Sequence, residues 1–340
     1  MVKVGVVGYG VIGQRLADGV ALQGDMELVG VADVSPTLSV RALKEKGMPY
    51  SLYNAVPENQ KHFDDLSIPV SGTLEDLIKE CDIMLDATSA GVGANNKKLY
   101  EKYGKKAVFQ GGEQNSIADV FFHGYANYEQ GVGKQFLKLT SCNTTGLIRA
   151  VDCLDRAIGV DKIAITIIRR VADPGDYHRG LTNALQIDKA PSHQAVDLMT
   201  IMPHIDATGI LVHTPVTHGH IITIVAKTKK KIDKKAAIGM FNEHPRIRMG
   251  KLDDGFLGNA SLFRYARDLG NPRGDMYEIA IWEDSIVNSG DDIMFAVNIP
   301  QEAVVIPETM DAIRASMEMQ TVKLEALSLT NDYLGIGKWK

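Results

Sequence analysis

Val2-Lys3-Val4-Gly5-Val6-Val7-Gly8-Tyr9-Gly10-Val11-Ile12-Gly13 is the stretch that decides the fold. Its apolar opening suits a parallel strand buried on both faces, and a helical pattern follows through Leu16 and Val20. Gly8, Gly10 and Gly13, with Val11 and Ile12 between them, match the dinucleotide fingerprint: a tight turn, close approach of backbone to pyrophosphate, and close helix packing. A glycine-rich turn alone is a weak signal, and the strand before and helix after give it weight. Asp33 closes a second strand, Glu27 to Asp33, about 20 residues beyond the last glycine. A carboxylate there accepts hydrogen bonds from the adenosine ribose and repels a 2′-phosphate, so NAD is the preferred cofactor and NADP the alternative.

Strand and helix keep alternating downstream. Thr73 reads as an N-cap with Asp76 at the third helical position, for a helix through Cys81, and Asp82 to Ala87 is a buried strand entering Thr88-Ser89-Ala90-Gly91. Lys97 to Tyr103 is helical, and Ala107 to Gln110 is a strand ending at Gly111-Gly112. Loops at the carboxyl ends of parallel strands face the ligand. Thr88, Ser89 and Gly111 are therefore candidates for the nicotinamide half of the cofactor, with ordinary turn chemistry as the equal alternative.

Composition limits the function. The 340 residues exceed what one core usually holds, so two domains are expected. A net charge of −5 argues against coating nucleic acid or an anionic membrane. Cys81, Cys142 and Cys153 are too few and too scattered for a disulfide framework or a zinc site, so no metal is expected and a reducing cytoplasm fits. There is no signal-peptide order at the N-terminus and no apolar run near the ~20 residues of a spanning helix. The expectation is a soluble, cytoplasmic protein.

A second informative stretch is Ser141-Cys142-Asn143-Thr144-Thr145, between the alternating segment Phe136 to Thr140 and an amphipathic helix ending near Gly159. Unpaired amides and the positive dipole end of a first helical turn stabilise a thiolate, which makes Cys142 the candidate nucleophile. Leu147, Val151, Leu154 and Ile158 share one face of that helix, and Cys153 reads as structural. Long strands then dominate: Lys162 to Val171, Thr208 to Thr214, His220 to Lys227, Ile279 to Trp282 and Met294 to Ile299, with helices near His193 to Met202 and Asp233 to Asn242. This pattern predicts a mixed or antiparallel sheet, so the fold class is α/β, an N-terminal Rossmann domain with an α+β catalytic domain.

A thiolate beside a dinucleotide points to aldehyde oxidation. The sulfur adds to the carbonyl, the thiohemiacetal loses hydride to the nicotinamide, and a thioester remains. Thr217-His218-Gly219-His220 offers two histidines whose spacing puts both on one face of an extended segment, and either serves as the base ahead of a metal-ligand role. Arg169-Arg170, followed by Asp173-Pro174-Gly175-Asp176, suits bidentate phosphate recognition, with a solvated surface pair or an internal salt bridge as the alternative, and Pro191-Ser192-His193-Gln194 and Thr144-Thr145 add donors that favour phosphate. Asn143 and the helix amides are candidate oxyanion donors. The lysines of Lys227 to Lys231, with Lys234 and Lys235, read as a solvated strand end and turn.

Taken together, these residues resemble the archaeal type of phosphorylating glyceraldehyde-3-phosphate dehydrogenase over nearly the full length. The likeness is carried by Gly8-Tyr9-Gly10 with Ile12-Gly13, Phe109-Gln110-Gly111-Gly112-Glu113, Ser141 to Thr145, Arg169-Arg170 with Ala172-Asp173, Pro191-Ser192-His193, and Asp311-Ala312-Ile313-Arg314-Ala315-Ser316-Met317. The resemblance implies Cys142 as nucleophile and His218 as general base. It implies that Ser141, Asn143, Thr144, His193 and Gln194 contact substrate or inorganic phosphate, and that Gly111, Arg170 and Gln301 lie near the cofactor. It also implies glyceraldehyde 3-phosphate and inorganic phosphate as substrates, a homotetramer, and a C-terminal helix from Pro307 on that packs on the first domain. The expected domains are 1–140, 141–302 and 303–340. Asp33, Gln194 and Thr217 depart from the lysine, histidine and methionine that many relatives carry there. Two rivals stand beside this reading: a semialdehyde dehydrogenase of the aspartate or N-acetylglutamate type, and a redox sensor. The sensor lacks a resolving thiol, since Cys153 lies ~16 Å along the helix from Cys142.

Overall fold

The structure, a computed structural model, describes residues 1–110, 112–170 and 184–337. Gly111, Ala172 and the Asp173-Pro174-Gly175-Asp176 turn lie outside the described residues. The chain divides into two units: Met1–Thr140 with Ile306–Gly335, and Ser141–Val305 with the residues from Ile336.

The first unit begins with β1 (Val2–Val7), α1 (Val11–Ala21), β2 (Met26–Asp33), α2 (Leu38–Glu45), β3 (Ser51–Asn54), α3 (Gln60–Asp64) and α4 (Leu74–Glu80). It continues with β4 (Ile83–Asp86), α5 (Val92–Lys102), β5 (Lys106–Phe109), β6 (Val120–Phe122), α6 (Gly124–Gly131) and β7 (Phe136–Leu139). These strands form a seven-stranded parallel sheet in the order β3-β2-β1-β4-β5-β7-β6. The strand order reverses between β1 and β4, and in open parallel sheets ligands bind outside the carboxyl ends of the strands at such a point. Val4, Val6 and Val7 are buried, as a strand covered on both faces requires. Thr73 and Asp76 form a reciprocal capping box on α4, and Cys81, packed at its end, has its thiol pushed up to about 12 by burial.

The second unit holds α7 (Cys142–Ile158), β8 (Val160–Arg170), β9 (Gln186–Ile187), α8 (His193–Ile201), β10 (Asp206–Thr214) and β11 (His220–Thr228). It continues with α9 (Lys234–Glu243), β12 (Ile247–Gly250), α10 (Asn259–Asp268), β13 (Ile279–Trp282), β14 (Val287–Ser289) and β15 (Asp292–Ile299). The sheet is mixed, ordered β12-β13-β15-β11-β8-β10-β9, with β14 paired to β15. Ile163, Ile165 and Ile167 of β8, Ile222 and Ile224 of β11, and Phe295 and Val297 of β15 are buried on one face. Helix α7 covers that face through Leu147, Val151 and Leu154. Arg149, fully buried on α7, donates to the carbonyls of Arg246, Tyr277 and Val304 at 3.3, 2.8 and 3.1 Å and so ties three connecting segments to the helix.

The last helices, α11 (Ile306–Ser316) and α12 (Lys323–Leu334), belong to the first unit. Arg314 of α11 is fully buried; its guanidinium reaches Asp25 at 2.6 and 3.0 Å, Gln23 at 2.9 Å and Thr330 of α12 at 2.8 Å. Residues far apart in sequence are thereby joined by charge-assisted bonds. Among the described residues no helix is long and apolar enough to cross a membrane.

Candidate active site

The polar centre of the second unit is built where α7 begins. Ser141 is the N-cap, its Oγ accepting from the Thr144 amide at 3.3 Å, so Cys142 occupies the first helical position. Ser141 and Thr144 hydroxyls lie 2.9 Å apart, and Thr144 donates to Asp197 of α8 at 3.1 Å, tying the start of α7 to α8. Asn143 is buried, and its Oδ1 has no partner among the described residues. Ser192, the N-cap of α8, and Gln194 likewise keep a buried oxygen without a described partner, while Gln194 Nε2 lies 2.8 Å from His193 Nε2.

One histidine meets the sulfur. His220 Nε2 stands 3.6 Å from Cys142 Sγ, and its Nδ1 accepts the Arg170 backbone N–H at 3.1 Å. His220, on the buried face of β11 with Ile222 and Ile224, points toward α7. His218 lies elsewhere: its ring packs edge-on against Phe263, its Nδ1 is 3.2 Å from Thr217 Oγ1, and its carbonyl accepts from Asn259 of α10. The expectation of two histidines on one face of an extended segment is thus corrected. Gly219 has φ +66, which breaks the alternation, and a Cβ there would stand 2.7 Å from the Ile299 carbonyl. The histidine within reach of Cys142 is thus His220 and not His218, to which the resemblance gave the base role.

Charge around this pair depends on burial as well as on the helix terminus. Burial pushes the Cys142 thiol up to about 11, against the opposing pull of the Arg169 guanidinium, the Asn143 amide and Arg170. Desolvation of a thiolate here outweighs what one helix terminus returns, which favours the thiol. Burial, then Arg170 and Arg169, push the imidazole of His220 well below its ordinary range. Both directions favour a neutral pair. Arg170 is itself buried, its Nη1 donating to the Thr217 carbonyl at 2.7 Å and to Glu302 at 2.8 Å. Gln301 and Glu302 sit in the turn after β15, at the same end of the sheet as His220, which pairs with Ile299. Glu302 and Asp197 were missed by sequence reading, since their only signal is tertiary contact.

The first unit carries the nucleotide candidates. Gly8 has φ +85, and a Cβ on Gly13 would stand 1.8 Å from the Gly8 carbonyl, so turn and helix approach as the fingerprint requires. A Cβ on Gly10 would meet nothing within 4 Å, and Gly10 begins α1 without a side-chain cap, which leaves its amides to a ligand. Val11 and Ile12 form the first turn of α1. Asp33, at the end of β2, accepts the Tyr9 amide at 3.0 Å and the Val34 amide at 2.7 Å, and burial raises its pKa above the usual carboxylate range. Thr88 donates to Asp86, while Ser89 is exposed beyond β4. These residues fit a dinucleotide: an open cradle over Gly10 and a carboxylate one strand away. Among the described residues no three His, Cys, Asp or Glu side chains converge as a metal set.

Comparisons with known proteins identify the family of both units. The family described as glyceraldehyde 3-phosphate dehydrogenase, C-terminal domain, matches residues 141–285, and that described as dihydrodipicolinate reductase, N-terminus, matches residues 2–112. The chain is 41% identical over 340 residues to the glyceraldehyde-3-phosphate dehydrogenase of Sulfolobus acidocaldarius, covering 99% of this chain and 98% of that one. It is 40% identical to the glyceraldehyde-3-phosphate dehydrogenase of Archaeoglobus fulgidus, with the same coverage. The crystal structure of aspartate semialdehyde dehydrogenase II from Vibrio cholerae shares the fold, with a TM-score of 0.64 at 14% identity over 94% of this chain and 98% of that one.

Proposed function

Because the chain belongs to the archaeal glyceraldehyde-3-phosphate dehydrogenase family, we propose that it oxidises D-glyceraldehyde 3-phosphate, with inorganic phosphate, to 1,3-bisphosphoglycerate. The single observation that carries this reading is the Cys142–His220 pair at the start of α7. Cys142 Sγ attacks the aldehyde carbon, the thiol proton leaves to solvent, and the carbonyl oxygen of the thiohemiacetal takes the negative charge. His220 faces that chemistry, and the Asn143 side chain and the first amides of α7 are the other groups able to stabilise the oxygen. A pyridine nucleotide, when bound, accepts the hydride that converts the thiohemiacetal to a thioester. A phosphate oxygen then attacks the thioester carbon, the C–S bond breaks, and Cys142 is released with the acyl phosphate as product.

The anionic end of the substrate and the attacking phosphate need donors. Ser141, Thr144, His193 and Gln194 at the starts of α7 and α8, with Arg169, supply them in this reading. Gly8 to Gly13 would hold the pyrophosphate; Asp33 would hold the ribose hydroxyls and favours NAD over NADP. Thr88 and Ser89 stand toward the nicotinamide half, and Gln301 and Arg170 are the second unit's candidates near it. A cytoplasmic homotetramer belongs to the same proposal, and light scattering tests the assembly.

One assay separates the substrates. The purified protein is mixed with NAD or NADP, phosphate and one aldehyde, and the absorbance of reduced nicotinamide is followed. Turnover of the triose phosphate, with the higher kcat/KM for NAD, is the expected result. Turnover of aspartate semialdehyde or N-acetylglutamate semialdehyde alone would reject the substrate, and a higher kcat/KM for NADP would reject the role given to Asp33.

A further inference from the structure

We propose that Glu302 is a positioning residue that acts through Arg170 to hold His220 in the tautomer carrying its proton on Nε2, a proposal that rests on the assignment of Cys142 and His220 above. The chain of contacts is continuous. Glu302 Oε1 and Arg170 Nη1 are 2.8 Å apart, with the arginine side chain 1% exposed and the glutamate 16%. The same Nη1 donates to the Thr217 carbonyl at 2.7 Å, so the ion pair fixes the segment entering β11 as well as the end of β8. The backbone N–H of Arg170 then donates to His220 Nδ1 at 3.1 Å.

Strand geometry explains why an imidazole receives that amide. Pairing of β8 with β11 ends at Ile168 with Ile221, while pairing with β10 runs on to Thr214 with Arg170, so the Arg170 N–H has no strand carbonyl from β11 to meet. A buried amide must find an acceptor, and the ring nitrogen supplies one. An Nδ1 that accepts cannot carry a proton in the neutral ring, so the proton sits on Nε2, the atom 3.6 Å from Cys142 Sγ. His220 is then a hydrogen-bond donor toward the sulfur and, once the aldehyde is attacked, toward the new oxyanion. The charged groups around the ring are Arg169 and Arg170, with Glu302 beyond them; both guanidiniums oppose protonation of Nδ1, so the neutral donor persists.

The test uses the full-length protein with ¹⁵N-labelled histidine. Two-bond proton–nitrogen NMR reads the His220 tautomer without any substrate, so its outcome is independent of which aldehyde the enzyme accepts. The expected spectrum shows Nε2 protonated and Nδ1 bare in the wild type. Glu302→Ala should give a mixed tautomer and a roughly hundredfold loss in kcat, with KM for the aldehyde within about threefold, because misplacing a reacting group by about an ångström costs that much, and a lowered melting temperature from the Arg170 charge left buried without its carboxylate. Glu302→Gln, which still accepts from Arg170, should recover most of the rate. A wild-type spectrum with Nδ1 protonated overturns the proposal. So does a Glu302→Ala protein that loses rate while its His220 tautomer stays as in the wild type, or one that keeps its rate.

Discussion

His220 Nε2 faces Cys142 Sγ across 3.6 Å, with His220 on the first residue of β11 and Cys142 on the first residue of α7. Each is placed by backbone geometry that does not depend on the other: an N-cap serine for the cysteine, and for the histidine a left-handed glycine followed by a buried strand face. The pair is therefore available before any ligand arrives, and what it lacks at rest is charge.

That lack is measurable. With the thiol raised to about 11, alkylation of Cys142 by iodoacetamide should climb steadily from pH 7 to 10 and keep rising toward the thiol's own ionisation. The direction follows from the sign of the shift: a raised thiol pKa depletes the nucleophilic thiolate at neutral pH, and each rise in pH restores it. A plateau between pH 6 and 7 would mean that a thiolate–imidazolium pair already exists at rest.

The two histidines should separate cleanly. His220→Ala should lower kcat by about 10²- to 10⁴-fold, the range for losing a positioned proton-handling group. His218→Ala, which removes a ring packed on Phe263, should leave kcat within about threefold and cost at most ~1 kcal/mol of stability from the lost aromatic contact. The reverse ranking in steady-state kinetics would return the role to His218.

The fingerprint glycines make a second contrast. Gly10→Ala meets open space, so the protein should fold with an unchanged melting temperature yet bind the dinucleotide at least about tenfold more weakly by titration calorimetry, because the methyl fills the space a pyrophosphate needs. Gly13→Ala drives a methyl into the Gly8 carbonyl and should destabilise the first unit itself, visible as a lowered melting temperature without ligand. Equal binding of nucleotide by Gly10→Ala and wild type would remove Gly10 from the site.

Arg314→Ala should be strongly destabilising although it lies outside the catalytic centre. It strands Asp25, Gln23 and Thr330, and removal of one partner from a buried ionic network costs about 3 kcal/mol or more. Urea unfolding followed by circular dichroism should show an earlier midpoint for the first unit. A midpoint within error of wild type would show the network to be dispensable.

The sequence was legible where structure is local. The strand–glycine–helix opening, the Thr73 capping box and the N-cap before Cys142 depend on neighbours within a few residues, and each was read at nearly its observed bounds. The short strands β3, β6, β9, β12 and β14 and the short helix α3 escaped because a few residues give no period to measure. In the site, a two-residue spacing could not choose between His218 and His220, since the choice turns on the φ of Gly219. Glu302 and Asp197 were invisible because they act on residues 132 and 53 positions away. The burial that opposes ionisation of Cys142 was illegible for a related reason: a helix terminus is written in the sequence, while burial is a property of everything packed around it.

The return of α11 and α12 to the first unit sets an order of birth for the protein. As the chain leaves the ribosome, the parallel sheet of residues 1–140 emerges first but lacks residues 306–335, while the second unit, once made from Ser141 to Val305, lacks only the residues from Ile336. Cys142 and His220 can thus meet before the first unit has its last two helices. A message truncated after Val305 would yield an assembled cysteine–histidine centre attached to a dinucleotide unit whose Asp25 and Gln23 have lost their arginine.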